Sequence, residues 1–413
     1  MSVCSIEFLA SLMAVSAVFF HLPSSRLRQC LLTLCNAGFL YLLIPNGPSW
    51  ALLGALLLSG YLAGHALRRW PGRLGLALYL LPLVAAFVWL KKYDFLAFFL
   101  PDWVLGHPVS IVFLSYLLFR QIHFVVDMMQ GQIAEPSLWS YLNYQLNLFT
   151  LLSGPIQRYQ EFGQYWRQPR PLLRDGREML AACLRILIGV VKIAVIAGVC
   201  LAVYDKGVAW FESVGASHAM PLRLATALRF ALMFYLYPAY VYFNFAGYCD
   251  IVIGGAALLG MQLPENFDRP YLARNMIDFW TRWHRTLSFW IRDYLFTPLY
   301  KTIAENWPRR AQSLTFLCYF VALFLAGVWH GSTWNFAVFG LVHAVGVSAV
   351  KLWESQLLRR GGRQGLRRYL ESRRIRTLAV VANFHFACLT FLFFPAELDR
   401  CLRMLGTFFR VVA

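Results

Sequence analysis

Imidazole is the side chain that gives and takes protons near neutral pH, and two of the nine histidines stand where that chemistry would count. His330 falls in Leu325-Ala326-Gly327-Val328-Trp329-His330-Gly331-Ser332-Thr333-Trp334-Asn335, at the join of two strongly apolar runs. An ionisable group at membrane depth is expensive and marks function by default; the alternative is a structural histidine at a helix terminus. Gly327 and Gly331 would let another backbone or a thin substrate come close. His284 lies in Asp278-Phe279-Trp280-Thr281-Arg282-Trp283-His284-Arg285-Thr286-Leu287-Ser288-Phe289-Trp290-Ile291-Arg292-Asp293-Tyr294. At helical spacing Trp280, His284, Leu287 and Ile291 share one side, and Asp278, Arg282, Arg285 and Arg292 another, which predicts an interfacial helix. On that aromatic stripe His284 also reads as a packing residue. His21, His65, His107, His123, His218, His343 and His385 lack such settings and read as loop, interface or packing residues. His343 is thirteen residues beyond His330, and nothing in that spacing makes the two neighbours.

No His-x-x-His or His-x-x-x-His pair suggests a metal. Walker A, Gly-x-Ser-x-Gly and dinucleotide patterns are absent, so no cofactor signature is present. The nine cysteines form no Cys-x-x-Cys pair and mostly lie inside apolar runs, as Cys30, Cys35, Cys183, Cys200 and Cys318 do; they read as buried free thiols.

The elements that must hold these residues are membrane helices. Of 413 residues 59% are hydrophobic and only 14% charged, against about 45–50% and about 25% in soluble domains. That excludes an ordinary soluble enzyme, disorder and a coiled coil. The formal charge of +18 suggests nucleic acid only in a soluble chain; here the basic residues sit in short connections, as the positive-inside rule describes. Continuously apolar runs without period-two alternation indicate helices rather than barrel strands. They cover about 4–22, 29–44, 49–67, 74–90, 109–126, 137–152, 178–203, 224–245, 313–329, 334–352 and 377–395. The first reads as a span rather than a cleaved signal peptide, since Met1 to Ser5 carries no basic side chain, Glu7 comes next and no small-x-small cleavage site precedes Pro23. The 137–152 run holds Asn143, Gln145 and Asn147 and ends at Ser153-Gly154-Pro155, which predicts a half-membrane or re-entrant helix. The expected fold is an all-α polytopic membrane protein of roughly 10–11 transmembrane helices plus re-entrant and interfacial ones, in one domain over 1–413.

Arginines fix an expected sidedness. Arg26 and Arg28; Arg68, Arg69 and Arg73; Arg158, Arg167, Arg170, Arg174 and Arg177; and the Lys351–Arg376 cluster all become cytoplasmic if the N-terminus is outside and 137–152 does not cross. The 246–312 stretch is then cytoplasmic and the 329–334 turn extracytoplasmic. Lys91 and Lys92 fall on the wrong side.

The ordered set Ser153-Gly154-Pro155-Ile156-Gln157-Arg158-Tyr159, Phe245-Ala246-Gly247-Tyr248-Cys249-Asp250, Asn266-Phe267, Arg269-Pro270-Tyr271, Asp278 to His284, Leu287-Ser288, Arg292-Asp293-Tyr294 and Val328-Trp329-His330-Gly331 resembles the membrane-bound O-acyltransferases over about residues 150–345. The Ser-Gly-Pro-Ile-x-Arg-Tyr form and Ser288-Phe289-Trp290 are most like the branch that transfers D-alanyl groups to teichoic acid and other envelope polymers. Thr297-Pro298-Leu299 leans toward the branch that O-acetylates exopolysaccharides, and Arg285-Thr286 departs from the usual pattern after the histidine. The resemblance implies a ring of helices around a central tunnel, with His330 as the catalytic histidine and His284 nearer the cytoplasm. Arg282, Asn335, Trp329 and Asp293 are the expected substrate contacts. The donor implied is an acyl thioester on the phosphopantetheine arm of a small acidic carrier protein in the cytoplasm. An extracytoplasmic, membrane-anchored partner would pass the group to an envelope polymer. The lipid bilayer is the remaining partner, and nucleic acid is not one; the implied location is the bacterial plasma membrane.

The chemistry agrees. Transfer from thioester to hydroxyl needs a base for the acceptor proton, and a neutral imidazole suits it. A narrow dry passage protects the thioester from water. Asn335, Ser332 or an indole could donate to the carbonyl oxygen. A transporter with broken helices at 137–158 and 245–275, or a scaffold gathering partners on its basic loops, are the readings of other classes.

Overall fold

Continuously apolar runs fold as helices, and no strand occurs among the described residues. A computed structural model describes residues 3–170, 176–217, 222–395 and 398–412; Arg174 and His218 lie outside them. The chain divides into two compact units, Met1–Val191 with Ala246–Glu265, and Lys192–Phe245 with Asn266–Ala413.

The first unit opens with α1 (Ile6–His21), α2 (Ser25–Leu43) and α3 (Gly47–Arg69), whose N-caps Ser5, Ser24 and Asn46 each accept a backbone N–H with the side chain. α4 (Arg73–Lys91) follows, then the single turn α5 (Asp102–Leu105), α6 (Leu114–Met129), α7 (Leu138–Gln145), α8 (Tyr159–Arg167) and α9 (Gly176–Val191). On α4 the side chains of Leu74, Leu78, Leu81 and Val84 are exposed. Apolar surface open at helical spacing is what a lipid-facing helix presents. Lys91 and Lys92, at the end of α4 away from Arg73, are held locally: their ammonium groups donate to Ser115 Oγ and to the His107 carbonyl.

α6 begins at Leu114 rather than 109 and buries Arg120, Gln121, His123 and Asp127 with its apolar residues. A polar face of that kind must be satisfied internally. The Arg120 guanidinium donates to the Tyr144 and Gln145 carbonyls at 3.0 and 2.6 Å and to Thr150 Oγ1. Those carbonyls are the open C-terminal end of α7, where a cation also meets the negative end of the helix dipole. α7 is only eight residues long, in keeping with the polar content of 137–152.

The second unit starts with a π turn (Lys192–Ala197), α10 (Gly198–Ser217) and the first part of α11 (Arg223–Leu258). α11 runs on through Ala246–Leu258, so the Phe245–Asp250 motif is helical. α12 (Met276–Arg282), α13 (Arg285–Ile291), α14 (Thr297–Asn306), α15 (Ala311–His330), α16 (Trp334–Glu371), α17 (Arg373–Thr390) and α18 (Leu398–Val412) complete it. α16 carries the basic 351–371 stretch in helical form, broken at Gly362 with φ 58°. The expected cytoplasmic loop is therefore mostly helix.

Six helical segments among the described residues are long and apolar enough to cross a membrane: Gly47–Arg69, Arg73–Lys91, Gly176–Ala216, Arg223–Leu258, Trp334–Glu371 and Arg373–Phe393. Ile6–His21 and Leu314–His330 are shorter apolar helices. The chain is an all-α polytopic membrane protein.

Candidate active site

The single interfacial helix expected around His284 is broken at that residue. α12 ends at Arg282, His284 takes a left-handed conformation with φ 44°, and α13 begins at Arg285. The cause lies eighteen residues upstream. Asn266 O accepts the Arg285 N–H and the Arg282 carbonyl accepts the Asp268 N–H, both at 2.9 Å. Asn266 Oδ1 takes the Thr286 N–H at 3.3 Å and its hydroxyl at 2.7 Å. A segment distant in sequence thus caps α13, and only a sharp backbone turn at His284 admits it. The burial pattern still follows the spacing: Trp280, His284, Leu287 and Ile291 are all buried.

The same Asn266 oxygen lies 3.3 Å from His284 Nδ1. A carbonyl oxygen only accepts, so Nδ1 donates and Nε2 keeps its lone pair. Burial pushes His284 well below its ordinary imidazole value, and charge at His330 pushes the same way; the ring is neutral at physiological pH.

His330 is placed by the α15–α16 hairpin. A Cβ on Gly327 would lie 2.2 Å from Gly340 Cα, and one on Gly331 would overlap the Phe336 ring. Gly327 thus serves close backbone approach, and Gly331 makes room for an aromatic side chain. His330 ends α15, with Nδ1 2.6 Å from the Ala326 carbonyl. That bond places the proton on Nδ1 and the basic lone pair on Nε2. Around it the rings are close: Trp329 at 5.0 Å, Phe339 at 5.8 Å and Phe394 at 5.7 Å between centroids. Trp329 also faces His284 at 6.3 Å, and Phe245 flanks His284 at 4.9 Å. The two histidines singled out in the sequence therefore share one aromatic site and interact electrostatically.

A third histidine belongs there. His343, read from sequence as a packing residue, is 1% exposed, and neither ring nitrogen has a hydrogen-bond partner among the described residues. Its ring lies 4.3 Å from Phe339, which also touches His330, and 5.2 Å from Trp280. It interacts electrostatically with His330. The usable sequence signal was Asn335, Phe339 and His343, four apart on one helix face, a stripe that is buried throughout. His123 behaves as expected of a packing histidine: Nε2 accepts the Tyr159 N–H at 2.8 Å, and Nδ1 meets Asp127 at 3.3 Å.

The expected substrate contacts separate. Trp329 stands between the two catalytic candidates. Asn335 is buried, accepts from the Thr333 hydroxyl and donates Nδ2 to the Phe393 carbonyl at 3.0 Å; its polar ends tie the hairpin to the chain after α17. Arg282 pairs with Asp278 at 2.7 Å, and Asp293 with Arg292 at 2.7 Å. Among the described residues no three His, Cys, Asp or Glu side chains converge as a metal site.

A model of the membrane-bound O-acyltransferase family matches residues 85–393. The chain is 28% identical over 299 residues to the teichoic acid D-alanyltransferase of Streptococcus thermophilus, covering 69% of this chain and 68% of that protein. It is 28% identical over 324 residues to the Bacillus subtilis protein of the same name, covering 77% and 76%. The probable alginate O-acetylase AlgI of Pseudomonas fluorescens is 28% identical over 253 residues, 61% of this chain but 47% of that protein.

Proposed function

This chain belongs to the membrane-bound O-acyltransferase family, and from that premise we propose that it moves a D-alanyl group from a carrier-protein thioester to a hydroxyl acceptor, with His330 as general base. The observation that carries the role of His330 is its fixed tautomer. With Nδ1–H held by the Ala326 carbonyl, Nε2 presents a lone pair inside an aromatic site. In the reaction Nε2 takes the acceptor's hydroxyl proton as its oxygen bonds to the thioester carbon. The C–S bond then breaks, and the imidazolium returns its proton to the departing thiolate. The aromatic lining disfavours water, which would otherwise compete as acceptor. His284, neutral and anchored by Asn266, acts on the donor side.

In this reading the donor is a phosphopantetheine-linked thioester on an acidic carrier protein at the cytoplasmic face. The acceptor side is extracytoplasmic, where a membrane-anchored partner hands the group to an envelope polymer. Exposed arginines at 359, 360 and 363 on α16 offer the carrier a complementary surface. The coverage of the D-alanyltransferase relatives' own length favours D-alanyl over acetyl, because the alginate O-acetylase match spans less than half of that protein.

Purified protein given a D-alanyl-carrier thioester and a hydroxyl acceptor should transfer the group. His330→Ala should lower the rate by about 10²–10⁴-fold, the usual contribution of a general base, with expression, membrane insertion and carrier binding kept. A well-folded His330→Ala protein with near-normal transfer would remove His330 from the mechanism.

A further inference from the structure

Two buried polar groups, linked to His330 through the Phe339 ring, have no part in the reaction as described. His343 is 1% exposed and Trp280 is 8% exposed, and the two His343 nitrogens and Trp280 Nε1 lack hydrogen-bond partners among the described residues. Buried polar groups are normally satisfied, and one left without a partner calls for an explanation. Here the orphans occur together: the imidazole and indole rings lie 5.2 Å apart at 69°, in contact across α12 and α16. Phe279 stacks by His343 at 6.3 Å and 29°, and Phe339 closes another side at 4.3 Å. The Phe339 ring is shared with His330, so the orphan pair is one ring removed from the base.

The hydrogen-bonding pattern of the pair is specific. A neutral imidazole offers one donor and one acceptor in either tautomer, and indole offers one donor. A ligand that satisfies all three must bring acceptor atoms and at least one N–H or O–H. An acetyl thioester brings only its carbonyl oxygen and would leave the imidazole acceptor bare. A 2-aminoacyl thioester brings the carbonyl oxygen and an amine, whose N–H groups reach the imidazole and whose charge, when protonated, faces ring surfaces.

We propose that His343 and Trp280 form the acyl-group subsite and select a 2-aminoacyl donor such as D-alanyl over acetyl. The inference rests on the acyl-transfer reading and deepens it. Sites built to hydrogen-bond a substrate group reject the analogue lacking it strongly, because their own polar atoms are then left unpaired.

The test separates binding from chemistry. Full-length protein in nanodiscs is titrated with two hydrolysis-resistant pantetheine amides, one D-alanyl and one acetyl, in which nitrogen replaces the thioester sulfur. The wild type should bind the D-alanyl amide at least about tenfold more tightly, an equilibrium difference of about 1.4 kcal/mol. His343→Phe and Trp280→Phe should each bring the two affinities within about threefold. His343→Asn, which restores a donor and an acceptor, should recover part of the preference, and its melting temperature controls for folding. A role in packing alone would weaken both amides in proportion. Wild-type indifference to the amine, or a preference that survives both Phe variants, overturns the proposal. If the wild type discriminates between the amides yet transfers neither acyl group from the corresponding carrier-protein thioesters to a hydroxyl, the catalytic reading fails and the subsite stands.

Discussion

His284 shows how one side chain can serve the site and link it to pH. Its folded-state pKa lies well below the ordinary value because of burial, with His330 adding to the effect. The unfolded chain, at about 6.5, therefore binds more protons than the folded one between that value and the depressed one. Stability contributed by the neutral ring is complete above about pH 6.5 and is lost as pH falls through that window. The melting temperature in detergent should accordingly drop on acidification below about 6.5. His284→Gln should flatten the drop, since glutamine has no proton to gain. An unchanged acid limb in that variant would mean that His284 is accessible to protons in the folded protein.

At the scale of elements, the hairpin of α15 and α16 decides where the base stands. Gly327 and Gly340 meet backbone to backbone, and a methyl group at Gly327 would lie 2.2 Å from Gly340 Cα. Gly327→Ala must push the helices apart, at a cost of about 1–3 kcal/mol typical of overpacking. Because His330 lies one turn beyond in the same helix, the variant should lose transfer activity as well as melting temperature. Thermal melts and transfer assays on one preparation check this; a variant with normal values of both would show that the helices can part without moving His330. The α12–α13 break teaches the complementary lesson. A periodic pattern predicted one helix, and the pattern of burial held while the helix did not, because Asn266 supplies capping bonds from outside the window in which periodicity is read.

For the whole molecule the open question is orientation, which the arginine distribution answers as an expectation. The basic stretch of α16 beyond Lys351 should face the cytoplasm. Gly362, with φ 58°, is a poor labelling position, since a Cβ there is strained; Gln364 is exposed and carries no such constraint. Cys30, expected to be a buried thiol, is exposed; Gln364→Cys, in a chain with Cys30 replaced, should react with an impermeant maleimide only after the membrane is opened. Labelling in intact spheroplasts would invert the topology and place the thioester donor on the other face.

Composition and apolar run length determined the class of this protein, because a chain that is 59% hydrophobic and 14% charged has few ways to fold outside a bilayer. Motif order pointed to the family, and the cost of an ionisable group between apolar runs pointed to His330. What tertiary structure decided was which groups meet. The Ala326 carbonyl fixes the His330 tautomer, Asn266 breaks the helix at His284, and Asn335 and Arg282 are tied to Phe393 and Asp278. His343 was legible only as a position on a buried stripe. Its nearness to Trp280, and through the Phe339 ring to His330, depends on how α12 and α15 pack against α16, and helix crossing is set by side-chain packing between segments that sequence spacing does not relate.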